Sequence, residues 1–263
     1  MSEKAILFDA TKCMGCRACQ VACKGWNELP GEETSNRGTY ENPPDLSTTT
    51  WLKMKFGEVS SNGSIATWLF TRRACMHCTD AACVKACPTK ALYYHEMGFV
   101  AYNKDLCSGC GYCQEFCPFD VPRLASTKTD DGVLSKMDKC TFCADRVTRG
   151  EVPACVKTCP TGALVFDDRD RILEMADDRA AEVNGVVYGK DVVGGTHVIY
   201  VLDREVDPEL HGLPKDPKVP ALATAWKDIL QPAGYVLGGV VALGLAMNYM
   251  VARARMVKEK EGR

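Results

Sequence analysis

The chain has 263 residues, with 16 cysteines and a net charge of −2 from 34 acidic and 32 basic side chains. A balance this even excludes a nucleic-acid binder driven by phosphate attraction. Charged and aromatic residues are too plentiful for a disordered chain, and the length excludes a small disulfide-stapled module. The hydrophobic fraction of 46% counts the cysteines, so apolar burial alone gives thin support to one large core.

In chain order, the first feature is a cysteine run, Cys13, Cys16, Cys19 and Cys23, spaced C-x2-C-x2-C-x3-C. An insertion at 24–70 follows. Its part over 27–50, with Pro30, Gly31, Pro43 and Pro44, reads as an irregular surface loop. Leu52, Met54 and Phe56 then alternate with Lys53 and Lys55, the pattern of a half-buried strand. Asn62-Gly63 signals a hairpin, with 65–70 as the returning partner. We expect the insertion to be a docking surface for another subunit.

The second cysteine group is Cys75, Cys78, Cys83 and Cys87, spaced C-x2-C-x4-C-x3-C before Pro88. Residues 91–94 and 99–102 flank Met97-Gly98 as a short hairpin. The third group, Cys107, Cys110, Cys113 and Cys117, repeats the spacing of the first and precedes Pro118. The fourth, Cys140, Cys143, Cys155 and Cys159, is spaced C-x2-C-x11-C-x3-C before Pro160. Ile172, Leu173, Met175, Ala176 and Ala180 form a helical stripe within 170–183, and 197–202 reads as a buried strand.

No cysteine is left over. An iron–sulfur cube offers each iron one outward valence, which a soft thiolate fills. Three cysteines two residues apart wrap one cube; the fourth, before a proline in three of the four groups, points away and ligates the neighbour. Four groups therefore match four [4Fe-4S] clusters. Zinc needs two pairs separated by a longer loop, a pattern that only group four meets. The runs are also a poor disulfide framework. Residues 82–92 (ACVKACPTKAL) and 154–164 (ACVKTCPTGAL) agree at nine of eleven positions. Gly15 and Gln20 recur as Gly109 and Gln114. The sequence reads as a duplicated two-cluster ferredoxin unit.

Little else carries chemistry. His77 lies inside group two, where the thiols suffice, so an exposed or cluster-supporting place is expected rather than ligation. His95, His197 and His211 read as structural or interfacial. Asp167, Asp168 and Asp170 read as a solvated helix start. There is no nucleophile–base pair, carboxylate pair or phosphate loop, so no active site is expected.

Residues 229–252 hold no charged side chain over 24 positions, enough to span a bilayer core of about 30 Å. Gly234 and Gly238 offer a small face for helix packing, and Trp226, Tyr235 and Tyr249 suit the interfaces. Arg253, Arg255, Lys258, Lys260 and Arg263 follow the span, against Lys215, Lys218 and Lys227 before it. That bias puts the tail in the cytoplasm and the cluster domain on the periplasmic, outer face of a prokaryotic membrane. Met1-Ser2-Glu3-Lys4 is no export signal, and Arg72-Arg73 is too deep to be one. The expectation is a domain that folds and loads inside, then crosses with a partner bearing the signal.

Residues 16–23 (CRACQVAC), 40–43 (YENP), 109–113 (GCGYC), 153–162 (PACVKTCPTG), 194–202 (GGTHVIYVL) and 211–218 (HGLPKDPK) carry a resemblance over nearly the whole chain. With the C-terminal span, it resembles the four-cluster ferredoxin subunits of molybdenum or tungsten bis-pterin oxidoreductases. The closest likeness is to the membrane-anchored beta subunits of respiratory formate dehydrogenases. The resemblance implies an α+β fold of two interleaved ferredoxin-like double-[4Fe-4S] domains plus one transmembrane helix. Residues 1–74 with 128–190 would hold groups one and four, and 75–127 groups two and three. Residues 191–228 would be a docking extension, 229–252 the span and 253–263 a cytoplasmic tail.

The resemblance also implies how ligands are shared. Cys13, Cys16 and Cys19 would hold one cluster with Cys159, and Cys140, Cys143 and Cys155 the next with Cys23. Cys75, Cys78 and Cys83 would pair with Cys117, and Cys107, Cys110 and Cys113 with Cys87. The implied partners are a catalytic alpha subunit with the pterin metal, a cytochrome b gamma subunit and the lipid bilayer, with no nucleic acid. The implied role is an electron wire from formate oxidation to quinone reduction. Alternatives are the same wire in another bis-pterin reductase or a membrane hydrogenase complex, or, remotely, a zinc scaffold.

Overall fold

The computed structural model describes residues 2–61, 64–125, 136–204 and 206–262. In chain order these form β1 (Lys4–Asp9), α1 (Ala18–Trp26), β2 (Lys53–Ser61), β3 (Ser64–Arg73), α2 (Ala82–Ala86), β4 (Leu92–Tyr94) and β5 (Val100–Tyr102). Then come α3 (Tyr112–Glu115), β6 (Arg123–Leu124), β7 (Met137–Asp138), α4 (Ala144–Val147), α5 (Ala154–Lys157), β8 (Leu164–Asp168) and α6 (Arg169–Glu182). Last are β9 (Gly185–Tyr188), β10 (Val198–Asp203), α7 (Ala221–Ala225) and α8 (Gln231–Glu261). Two units separate, residues 1–220 and 221–263.

A four-stranded sheet, order β8-β1-β10-β9, organises the first unit. β1 runs antiparallel to β8 and parallel to β10, with Ile6 opposite Phe166 on one side and Val198 on the other. Side chains alternate across a strand. Ala5 and Leu7 of β1 and Ile199 and Val201 of β10 therefore pack on Ile172, Ala176 and Ala180 of α6. Ile6, Phe8, Val198, Tyr200 and Leu202 face the other way, into a core shared with Cys19, Cys23, Cys75, Cys140 and Cys155. Covering both faces explains why Val198 to Leu202 is an unbroken apolar run. Each such side chain contributes about 1.5–3 kcal/mol of burial.

The helix expected at 170–183 and the hairpin at 91–102 are present as α6 and β4–β5. β2 and β3 pair antiparallel, Phe56 opposite Phe70, as the alternation at 52–56 requires; the Asn62-Gly63 turn lies outside the described residues. One expectation fails within β2. The alternation assigns Lys53 to solvent, but it is 1% exposed. Its ammonium is ion-paired to Glu41 and donates to the Pro44 carbonyl, both in the loop that folds over the strand.

That loop has no helix or strand across 27–52. It is held by side chains instead: the hydroxyls of Ser47, Thr49 and Thr50 all donate to the Glu32 carboxylate, at 2.6, 2.6 and 2.5 Å. Leu46 is buried beneath it.

The buried strand expected at 197–202 is present as β10, within the segment 191–203. Thr79 and Asp80 donate backbone N–H groups to the Gly195 and Val193 carbonyls at 2.9 and 2.8 Å, before the polypeptide enters β10 in the middle of the sheet. The segment is thus tied to the second cysteine group on one side and to β1 on the other.

In the second unit, α7 passes through a π-helical turn at Trp226–Leu230 into α8. Pro232 explains the turn, because its ring displaces the carbonyl four residues earlier and removes a donor. The span of 24 uncharged residues measures about 36 Å as a helix, more than the roughly 30 Å of a bilayer core. Tyr235, Val236, Leu237, Val240, Val241 and Leu243 are all exposed. A helix apolar on every side suits lipid rather than water.

Candidate iron–sulfur sites

The cysteine groups share one local design. Cys13 and Cys16 lie in the loop before α1, which carries Cys19 and Cys23 one turn apart on its buried face. Gly15 turns this loop at φ +67°, and a Cβ there would meet the Phe70 ring at 2.7 Å. Only glycine satisfies both conditions. Cys75 and Cys78 follow β3, Cys83 sits on α2, and Cys87 caps that helix. Cys107 and Cys110 precede α3, which carries Cys113. Cys140 lies before α4, Cys143 caps it, Cys155 is on α5, and Cys159 follows. α1 packs against α5 and α2 against α3, which joins group one to group four and group two to group three.

All sixteen are free thiols. Burial pushes the Cys19 thiol up to about 12, Arg72 opposes this, and Cys155, Cys13 and Cys159 reinforce it. Cys13 is raised by burial, lowered by the Gly15 N–H, and raised again by Cys159 and Cys16. Burial raises Cys23 most, followed by Cys140, Cys155 and Cys143. For Cys78 the order is burial, Cys75, Cys83 and Cys117. For Cys113, pushed up to about 12, it is burial, Cys107, Cys110 and Cys87.

Such thiols stay protonated at neutral pH unless a cation takes the proton's place. The donor set therefore fits a cationic cluster core that binds thiolates. Among the described residues, no three His, Cys, Asp or Glu side chains close tightly enough on a point to hold a single ion.

Backbone and side-chain groups already serve the sulfurs. Phe142 N–H donates to Cys140 Sγ at 3.4 Å and Met137 N–H to Cys107 Sγ at 3.5 Å. The Asn27 amide reaches Cys23 Sγ at 3.8 Å. When bound, a [4Fe-4S] cluster supplies one-electron chemistry, and such contacts tune its potential.

The histidines are structural. The exposed alternative for His77 is overturned: it is fully buried, edge-on to Phe142 at 4.8 Å, and its Nδ1 donates to the Val100 carbonyl at 3.1 Å. His197 Nδ1 donates to the His77 carbonyl at 2.8 Å, His211 Nδ1 pairs with the Thr71 hydroxyl at 2.7 Å, and His95 stacks on Phe99 at 4.4 Å. Asp168 stands at the N-terminal boundary of α6 with its carboxylate on Lys4 rather than on the helix N–H groups, and Asp167 and Asp170 are exposed, as a solvated helix start requires.

Two cations beside the sulfurs escaped sequence reasoning. Arg72 is 0% exposed, with Nη2 at 4.0 Å from Cys140 Sγ. Lys139 is 1% exposed, and its ammonium donates to the Val100 and Cys140 carbonyls at 2.7 and 3.0 Å. The available signal was their position, three residues before Cys75 and one before Cys140.

The sequence matches two families of 4Fe-4S dicluster domains, over residues 66–169 and 12–91. It is 44% identical over 260 residues to the iron–sulfur subunit of the nitrate-inducible formate dehydrogenase of Escherichia coli, covering 95% of this protein and 85% of the relative. It is 41% identical over 268 residues to the formate dehydrogenase iron–sulfur subunit of Haemophilus influenzae, covering 98% and 84%. With a polysulfide reductase subunit of Wolinella succinogenes it shares 36% over 192 residues, covering 72% and 86%. Ferredoxin-type cysteine loops over nearly the full length of such relatives, with no catalytic domain, leave one assignment: the protein belongs to the formate dehydrogenase iron–sulfur subunit family, non-catalytic subunits that transfer electrons through [4Fe-4S] clusters.

Proposed function

We propose that the protein holds four [4Fe-4S] clusters in a row. They connect a catalytic subunit, which oxidises formate at a molybdenum or tungsten pterin, to a membrane cytochrome b subunit that reduces quinone. The ligand sets are Cys13, Cys16, Cys19 and Cys159; Cys23, Cys140, Cys143 and Cys155; Cys75, Cys78, Cys83 and Cys117; and Cys87, Cys107, Cys110 and Cys113. The supporting observation is proximity: α1 packs on α5 and α2 on α3, and the sulfurs of each set lie near enough to act on one another once deprotonated. Cys159 acts on Cys13, the fourth-group thiols on Cys23, Cys117 on Cys78 and Cys87 on Cys113.

A linear order has similar support. Between the proposed sets, Cys155 acts on Cys19, Cys140 on Cys75, and Cys113 on Cys83. These pairs support a row in which each set neighbours the next. The uncharged span then fixes the subunit to the membrane, with the cluster unit on the outer face and the tail in the cytoplasm.

Iron and acid-labile sulfide analysis tests the cofactor count: about sixteen of each per polypeptide is expected, and zinc without sulfide would overturn it. The 36% identity to a polysulfide reductase subunit favours one second reading, the same wire serving another bis-pterin reductase. Formate-dependent quinone reduction by the purified complex separates the two. Labelling of the cluster unit only from the cytoplasmic side would refute the proposed sidedness.

A further inference from the structure

A fully buried arginine is costly unless something anionic answers it. Arg72 has no such answer among the described residues: it joins no carboxylate, and its Nε and Nη1 have no hydrogen-bond partner. Its remaining nitrogen, Nη2, lies 4.0 Å from Cys140 Sγ. Around it stand Tyr200 and the thiols of Cys155, Cys140 and Cys19. A guanidinium is not deprotonated in a protein, so the charge is fixed.

The charge needs a counterion, and the thiols around it supply one only when they become thiolates. A cubane core of charge +2 bound by four thiolates is net −2, and taking up one electron makes it −3. That electron comes from the neighbouring cluster, which loses it, and no proton moves. A fixed cation in a dry interior favours the more negative state.

We propose that Arg72 is a potential-setting residue: its buried guanidinium raises the reduction potential of the cluster held by Cys23, Cys140, Cys143 and Cys155. The inference rests on the ligand sets proposed above. Lys139 is the other cation nearby. Both of its hydrogen bonds go to backbone carbonyls, and it faces Cys75 and Cys83 of the adjoining set. Arg72, whose Nη2 meets Cys140 and which stands beside Cys155, is assigned to the second set, with Cys19 of the first set its other sulfur neighbour, and Tyr200 fixes its backbone by donating to the Arg72 carbonyl at 2.8 Å.

The test is a redox titration of the intact complex, followed by electron paramagnetic resonance, on the parent and on Arg72→Met, Arg72→Gln and Arg72→Lys. Iron content is measured on each sample. Arg72→Met and Arg72→Gln are expected to cut the reduced-to-oxidised ratio of one signal at least tenfold at fixed potential, about 59 mV for one electron. Arg72→Lys, which keeps the charge, is expected to hold that ratio within about threefold, or roughly 30 mV. If Arg72→Met fails to load iron, Arg72→Gln against Arg72→Lys makes the same comparison.

Less than a tenfold change in both neutral variants overturns the proposal. So does an equal shift in Arg72→Lys, which would point to lost packing. Cys143→Ser separates this failure from failure of the ligand sets, since it marks the second set's signal. If the neutral variants move only a signal that Cys143→Ser leaves untouched, the assignment of Arg72's effect to the second set falls while the ligand sets stand. If Cys143→Ser marks a signal that the Arg72 variants do not move, only the role of Arg72 falls.

Discussion

The Tyr200 hydroxyl donates to the Arg72 carbonyl at 2.8 Å, joining the central strand of the sheet to the end of the β2–β3 hairpin, 128 residues away in sequence. Both residues are fully buried, so the acceptor has no water to fall back on. Tyr200→Phe should therefore lower stability by about 1–3 kcal/mol. The thermal midpoint of the iron-loaded protein should fall by roughly 2–4 °C per kcal/mol in a unit of this size. An unchanged midpoint would mean the bond contributes nothing net.

Gly15 and Gly111 have the same handedness of backbone but different surroundings. Both lie at positive φ, yet a Cβ at Gly15 would strike Phe70 at 2.7 Å, while at Gly111 it would meet nothing within 4 Å. Gly111→Ala should cost about 1 kcal/mol of backbone strain and keep its iron. Gly15→Ala should displace the first ligand loop and lower iron from about sixteen to about twelve per polypeptide. Equal iron in the two variants would contradict the difference in space.

Cys159→Ala should disturb the cluster of Cys13, Cys16 and Cys19, because the last cysteine of a group crosses to the neighbouring cluster. Loss confined to the cluster of Cys140, Cys143 and Cys155 in paramagnetic resonance would refute that ligand set.

The buried pair of Lys53 and Glu41 gives an asymmetric expectation. Glu41→Gln leaves an ammonium buried without its counter-charge, at a cost of about 3–5 kcal/mol. Lys53→Met removes the buried charge and leaves Glu41, which is 21% exposed, to be hydrated. Denaturation midpoints should rank the parent above Lys53→Met and Lys53→Met above Glu41→Gln. The reverse order of the two variants would show that Lys53 is solvated despite its burial.

An arginine at the centre of the span should weaken its insertion. Val241→Arg costs about 2.5–3.5 kcal/mol on insertion scales. Alkaline carbonate should then extract the variant from membranes that retain the parent. Equal retention would mean that α8 is not held by lipid.

Much of this was legible because local pattern carries it. The cysteine spacing marks every ligand candidate, the stripe from Ile172 to Ala180 marks α6, and the apolar run ending at Leu202 marks β10. Pairing over long distance was not legible. Nothing near residues 4–9 says that they run between strands nearly 160 and 190 residues later. Lys53 was misplaced because alternation specifies a face, while its partner Glu41 comes from a loop without periodicity. Arg72 was hidden for a related reason: it lies beyond the strand expected at 65–70, and nothing in its neighbourhood of the sequence shows the sulfurs packed around it.

The position of β1 also sets the timing of biosynthesis. Both of its edges are bare until residues 164–168 and 198–203 exist to pair with them. At about 5–20 residues per second, the ribosome needs roughly 10 to 40 s to reach β10 after making β1. For that interval Cys13, Cys16, Cys19 and Cys23 belong to a nascent polypeptide whose sheet cannot close. The emerging thiols must therefore be kept reduced until the strand that completes their shelter has been translated.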